Sequence, residues 1–226
     1  MKDPIRSRIR EAVFGIQDGL VSTLGALTGI AVGTQNSATV VIAGFVIVVV
    51  ESLSMAAGSY LSSKSNREYL QRLLDEERRS IEENPHLERE ELHQMYKERG
   101  FSEEEIRIVA RRLFQNKEWL LEDMAHKELG IVPSDLEEPL SNAVVMGISY
   151  VAGGVVPVLP YVLFPLQTAV EMSVLAAASA LFIFGGIKGV LVKRPWVKSG
   201  LEMLLIAGIA CGVGYLIGFL AQSLTA

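Results

Sequence analysis

The amino-acid sequence predicts an all-α membrane protein. It has five transmembrane helices, an N-terminus in the cytoplasm, and an acidic α-helical cytoplasmic subdomain inserted between spans two and three. Three observations predict this. Half of the 226 residues are apolar, with a mean hydropathy of +0.32, yet 21% are charged. The charge is segregated: residues 64–138 hold 13 of the 21 Lys+Arg and 20 of the 26 Asp+Glu, a net of −7, and all three His. The apolar remainder falls into five stretches, each near the ~20 residues that cross a bilayer. The predicted division is therefore 1–63 (spans one and two), 64–138 (subdomain) and 139–226 (spans three to five). This composition excludes intrinsic disorder and an ordinary soluble globule. The net negative block excludes nucleic acid as a partner, because phosphate repels it. A single cysteine, Cys211, excludes an internal disulfide and any CxxC centre. The apolar stretch after the basic first residues is too long for a signal h-region, so no cleaved signal peptide is expected.

The spans follow in order. Ala12–Val32 is interrupted by Gln17 and Asp18, and Val40–Leu61 by Glu51. Leu140–Tyr161 carries no charge; Pro157, Pro160 and Pro165 are expected to end it, after a weak point at Gly153-Gly154. Leu166–Leu191 holds Glu171 and Lys188, and Leu201–Leu220 has Glu202 at its edge. Basic residues mark one side of the membrane: Lys2, Arg6, Arg8 and Arg10 at the start, Lys64 and Arg67 after span two, and Lys188, Lys193, Arg194 and Lys198 between spans four and five. The other two loops and the tail are uncharged, so the positive-inside rule puts the N-terminus and the charged block in the cytoplasm. Gly25, Gly29 and Gly33 on span one repeat every four residues, as do the pairs Gly208–Gly212 and Gly214–Gly218 on span five. Such spacing lets helices approach closely and is read first as packing within one chain.

No Gly or Pro lies between Gly58 and Pro85, so span two is expected to run on as one helix, the intervening 26 residues adding about 39 Å. Short helices are expected over 86–98, from a Ser102/Glu105 capping box to about Gln115, and over 117–129, where Gly130 and then Pro133 end it. About 75 residues make a marginal core, so the long helix, a partner chain or bound metal is expected to support it.

The candidate chemistry begins inside the membrane. A carboxylate such as Asp18 costs ~2.5–3.5 kcal/mol to insert and normally faces a bundle interior or water. Glu51 and Met55, four apart, share a helix face, and a thioether beside carboxylates suits a soft transition metal. Glu171 and Glu202 sit where snorkelling to the interface explains them. In the subdomain, Glu88 and Glu91 share one face, Met124 and Glu128 another, and Glu76 and Glu77 lie on the emerging helix. Carboxylates alone suit magnesium, calcium or manganese, and an added Met biases the set toward ferrous iron. The bland alternative is a solvated acidic face. A rival reading takes Glu90-x-x-His93 and Asp123-x-x-His126 as half of a ferritin-like di-iron site, which would make the protein a membrane-anchored ferroxidase or iron store. A third reads the block as a scaffold's interaction domain. No Walker loop, GxSxG, HExxH or dinucleotide fingerprint is present, so no enzyme and no cofactor is expected.

Four runs carry a resemblance: DGLVSTLGALTGIA, ESLSMAAGSYLSSKSNREY, WLLEDMAHKELG and SNAVVMGISYVAGGVVPVLPY. In this order the chain resembles the vacuolar iron transporter family over essentially its whole length. The resemblance implies a homodimeric exporter of ferrous iron, often also manganese, working by proton antiport. Its pore would be lined by the first span of each subunit. It implies a vacuolar-type membrane in a eukaryote and the plasma membrane in a prokaryote. The family's pore Asp and Met fall on Asp18 and Met55, and its cytoplasmic metal ligands on Glu77, Glu88, Glu91, Met124 and Glu128. Two positions depart from the pattern. Ser80 replaces a second glutamate of the emerging helix, which puts the number of bound metals in doubt, and Ser59 stands where many prokaryotic relatives carry Glu.

Overall fold

The computed structural model describes residues 3–132 and 136–225. Lys2, Pro133 and Ala226, which entered the sequence argument, lie outside the described residues. The elements are α1 (Asp3–Thr34), α2 (Ser37–Glu83), α3 (Pro85–Glu98), α4 (Glu103–Leu113), α5 (Lys117–Met124), a π-turn (Ala125–Leu129), α6 (Pro139–Leu163), α7 (Leu166–Leu191) and α8 (Trp196–Thr225). Among the described residues there is no strand. Helices α1, α2, α6, α7 and α8 are long and apolar enough to cross a membrane. The protein is therefore a multi-pass α-helical membrane protein.

Two compact units emerge: Ile5–Leu61 with Leu140–Ala226, and Met1–Pro4 with Ser62–Pro139. Helix α2 is unbroken for 47 residues, about 70 Å, far beyond a ~30 Å hydrocarbon core.

In the membrane unit α1 packs on both α6 and α8. A Cβ at Gly19 would lie 2.3 Å from the Tyr150 carbonyl of α6, so only glycine allows that approach. On α8, a Cβ at Gly214 would lie 2.0 Å from the Gly25 carbonyl, which makes these repeats an intrachain crossing. Gly208 and Gly212 take no part in it, with nothing within 4 Å of the corresponding position. Apolar clusters fill the remaining space: Leu27, Val40, Val48 and Val158 in one, and Leu20, Leu24, Leu181 and Met203 in another. Large side chains such as Leu53, Ile148, Ile183 and Leu205 face outward, as a lipid solvent permits.

Two expectations for span three are corrected. Pro157 and Pro160 lie inside α6, which runs on to Leu163. Within a bilayer no water serves a broken helix end, so continuing the helix through a proline costs less than ending it there. Buried Ser173 of α7 donates to the Pro157 carbonyl at 2.7 Å. Pro165 instead opens α7, its carbonyl accepting from the Ala169 N–H. Nor is Gly153-Gly154 a weak point: both residues are buried, and Gly153 meets the backbone of Ile16 on α1.

The second unit has its own core of Ile81, Leu92, Tyr96, Ile106, Leu120, Leu121 and Met124. Ile81 comes from the far end of α2, so the long helix does support the short ones. Pro85 both follows the end of α2 and occupies the first turn of α3, where its missing N–H costs nothing. Both halves of the Ser102/Glu105 capping box form. The last helix widens into the π-turn before Gly130 closes it at a left-handed φ of 67°.

Candidate metal sites

The membrane unit holds the first candidate. Asp18 on α1 is half-buried and takes no hydrogen bond from a described residue. It lies within electrostatic range of Glu51 on α2. Glu51 is held on one oxygen only: the Ser22 hydroxyl donates to Oε2 at 3.2 Å, and the Tyr150 hydroxyl donates to the same atom. The Ser22 and Tyr150 hydroxyls are themselves 2.7 Å apart. Ser22 follows Asp18 by one turn, while Tyr150 comes from α6 and is fully buried. Met55, half-buried, follows Glu51 by one turn. Three helices thus bring two carboxylates and two hydroxyls together, with a thioether one turn from Glu51. Glu171 and Glu202 are exposed.

Sequence reasoning missed Ser22 and Tyr150. The available signal was partial: Asn142 and Tyr150 share a face of an uncharged span, which marks polar groups to be satisfied but names no partner. Asn142 indeed accepts from Ser7 at 2.9 Å. Ser59, one of the two departures, donates at 2.9 Å to buried Glu11, so here a carboxylate on α1 reaches that position.

The second candidate lies in the subdomain. Glu88 is 1% exposed and Glu77 8%, far below what unpaired carboxylates tolerate. Ser80, the other departure, donates its hydroxyl to Glu88 Oε1. Glu88 Oε2 and Glu77 Oε1 are buried without a hydrogen-bond partner. Burial is the largest cause that pushes Glu77 up to about 7, followed by the charges of Glu128, Glu88 and Glu91. Glu91 is raised by burial and by Glu88; Glu128 is raised by burial and by Glu91 and Glu88. The four glutamates therefore share one field, which a cation would neutralise. Met124 is fully buried in the apolar core, whereas Glu128, on the widened turn, is exposed. Among the described residues no three His, Cys, Asp or Glu side chains stand at the spacing of a closed ion site. The carboxylates converge electrostatically without being gathered around a point.

A pH dependence follows. Between about 4.5 and 7 the folded protein holds a proton on Glu77 that the unfolded chain releases. Metal-free stability is thus expected to fall as pH rises through that window, while metal affinity rises. Thermal unfolding and manganese titration at pH 5 and pH 8 check both signs, and Glu77→Gln is expected to flatten both slopes.

The di-iron reading is not favoured, because two of its four residues, His93 and Asp123, are engaged elsewhere. His93 bonds Glu103 at 2.6 Å, and Asp123 is held by Lys127 at 2.6 Å and by the Tyr96 hydroxyl at 3.1 Å. His126 is exposed.

Comparison with known proteins adds independent findings. The model of the VIT family matches residues 9–219. The chain is 31% identical over 215 residues to vacuolar iron transporter 1 of Arabidopsis thaliana, covering 95% of this chain and 86% of that protein. It is 32% identical to the vacuolar iron transporter of Centaurea cyanus, covering 92% and 85%, and 31% identical to vacuolar iron transporter 1 of Eucalyptus grandis, covering 92% and 84%.

Proposed function

The chain belongs to the VIT family, and from that premise we propose that it is a transporter, not an enzyme, that carries ferrous iron out of the cytosol in exchange for protons, with manganese as a second substrate. Relatives named vacuolar iron transporter support metal-ion transport. The observation that carries the reading is the pair of membrane carboxylates, Asp18 and Glu51, placed within range of each other on adjacent spans. Two negative charges there are costly unless a cation or protons compensate them. A metal ion held by Asp18, Glu51 and Met55 and a proton on Asp18 are alternatives, and that competition makes exchange.

The subdomain's role is capture. Clustered carboxylates focus a negative field and raise the local concentration of divalent cations. Glu77, Glu88, Glu91 and Glu128 supply oxygen donors, with Met124 as a thioether. The N-terminus and this subdomain are cytoplasmic, as the basic loops argue. We take the working unit as a homodimer, with α1 of each chain along the path. The groove between α1 and α8, lined by Ser22, Gly25, Ala26 and Gly29, is open for that role.

Ferrous uptake into proteoliposomes by the wild-type chain tests transport itself; a folded protein that moves neither ferrous iron nor manganese would refute it. Glu88→Gln with Glu91→Gln is expected to raise the half-saturating metal concentration several-fold and spare the maximal rate. An unchanged half-saturation would remove the capture role.

A further inference from the structure

We propose that Tyr150 is a positioning residue of the intramembrane site: with Ser22 it fixes Glu51 as the pre-oriented member of an unequal carboxylate pair. The inference rests on the reading that Asp18 and Glu51 hold the transported metal.

The asymmetry is in the hydrogen bonds. Asp18 accepts none from a described residue, so no such bond fixes its rotamer. Glu51 accepts two, both on Oε2, from Ser22 and Tyr150. Its other oxygen, Oε1, accepts none from a described residue and is left for a ligand. The two donor oxygens also lie 2.7 Å apart, so three side-chain oxygens stand at the corners of a triangle, with both hydroxyl protons directed at Oε2. Each corner comes from a different helix: Ser22 from α1, Glu51 from α2 and Tyr150 from α6. Tyr150 cannot move easily. Its ring is fully buried, and its own carbonyl lies against Gly19, where α1 and α6 touch backbone to backbone. Ser22 also lines the groove between α1 and α8, so the triangle borders that groove.

The physical role follows from how metal sites are tuned. A ligand whose orientation is set by partners outside the coordination shell binds without first losing its own rotamer freedom, and removing such a partner typically costs about 10–100-fold in metal affinity. An Asp18 held by no such bond and a fixed Glu51 thus divide the work: the second waits in place, and the first closes on the ion and lets it go.

Tyr150→Phe removes only the hydroxyl and keeps the buried ring, so packing is conserved. In proteoliposomes the KM for ferrous iron is expected to rise about tenfold with the maximal rate little changed. The same substitution in a Glu51→Gln background is expected to add almost nothing, since the group it orients is gone. Ser22→Ala is expected to act in the same direction, more weakly. A second readout is manganese binding to the purified full chain carrying Glu77→Gln, Glu88→Gln, Glu91→Gln and Glu128→Gln, which removes the subdomain carboxylates. Adding Tyr150→Phe there should weaken the remaining binding by a similar factor. An unchanged KM, or an equal loss with and without Glu51, would overturn the positioning role while leaving transport intact. A folded wild-type chain that neither transports nor binds metal would overturn the underlying reading and this proposal with it.

Discussion

Asp18→Asn is expected to abolish proton-coupled metal movement while leaving a folded protein whose subdomain still binds metal. Asparagine keeps the size and polarity of aspartate but neither releases a proton nor offers an anionic oxygen. Because Asp18 accepts no hydrogen bond from a described residue, the change breaks no hydrogen bond with one. It also relieves the charge of Glu51 nearby, so the variant is expected to be no less stable than wild type. The loss in rate is expected to exceed the ~10–100-fold that changes one shell further out cause. Transport and internal pH, followed together in vesicles, check this. Retained coupling in the variant would remove Asp18 from the mechanism.

Gly19→Leu is the structural counterpart. The added side chain meets the Tyr150 carbonyl at 2.3 Å and the Gly154 nitrogen at 2.8 Å, both backbone atoms that cannot rotate away. Helices α1 and α6 must separate. Overpacking typically costs ~1–3 kcal/mol, and backbone collisions lie at or above the top of that range. The separation also moves Tyr150 away from Glu51, so activity is expected to fall together with the melting temperature. Gly208→Ala is the control: nothing lies within 4 Å of that position, and the change is expected to stay within ~0.5 kcal/mol. Thermal unfolding of the two variants in detergent separates a close-packed glycine from an open one. Equal melting temperatures would refute the crossing of α1 and α6.

The elements that were legible in the sequence are those that depend on local chemistry. Hydropathy alone placed the five spans, because the bilayer fixes their length. Ser102 and Glu105 announced a helix start, and Gly130 a helix end, because capping is a matter of neighbouring residues. The prolines of α6 misled for the opposite reason. In water Pro157 would mark an end, but in lipid the cost of a frayed helix outweighs that of the proline. The sites divide in the same way. Asp18 and Glu51 stood out as charges within apolar spans, whereas in the charged subdomain spacing only paired Glu88 with Glu91 and left Glu76 beside Glu77, and it was the family resemblance that chose Glu77. Tyr150 and Ser22 did not stand out, because a hydroxyl in an apolar run is common and only the meeting of three helices gives these two a partner. Ser80 reads in sequence as a lost ligand; in the fold it is the donor that holds Glu88. The expected shared face of Met124 and Glu128 was complicated by the π-turn, a backbone irregularity that spacing rules do not anticipate.

The most direct test of the central claim is the pH inside proteoliposomes holding the wild-type chain, followed with an entrapped dye while ferrous iron is added outside. Exchange through the Asp18–Glu51 pair predicts that the interior becomes more alkaline as iron enters, at a rate that follows the iron flux and vanishes without metal. Iron entry with no change in internal pH would contradict the account.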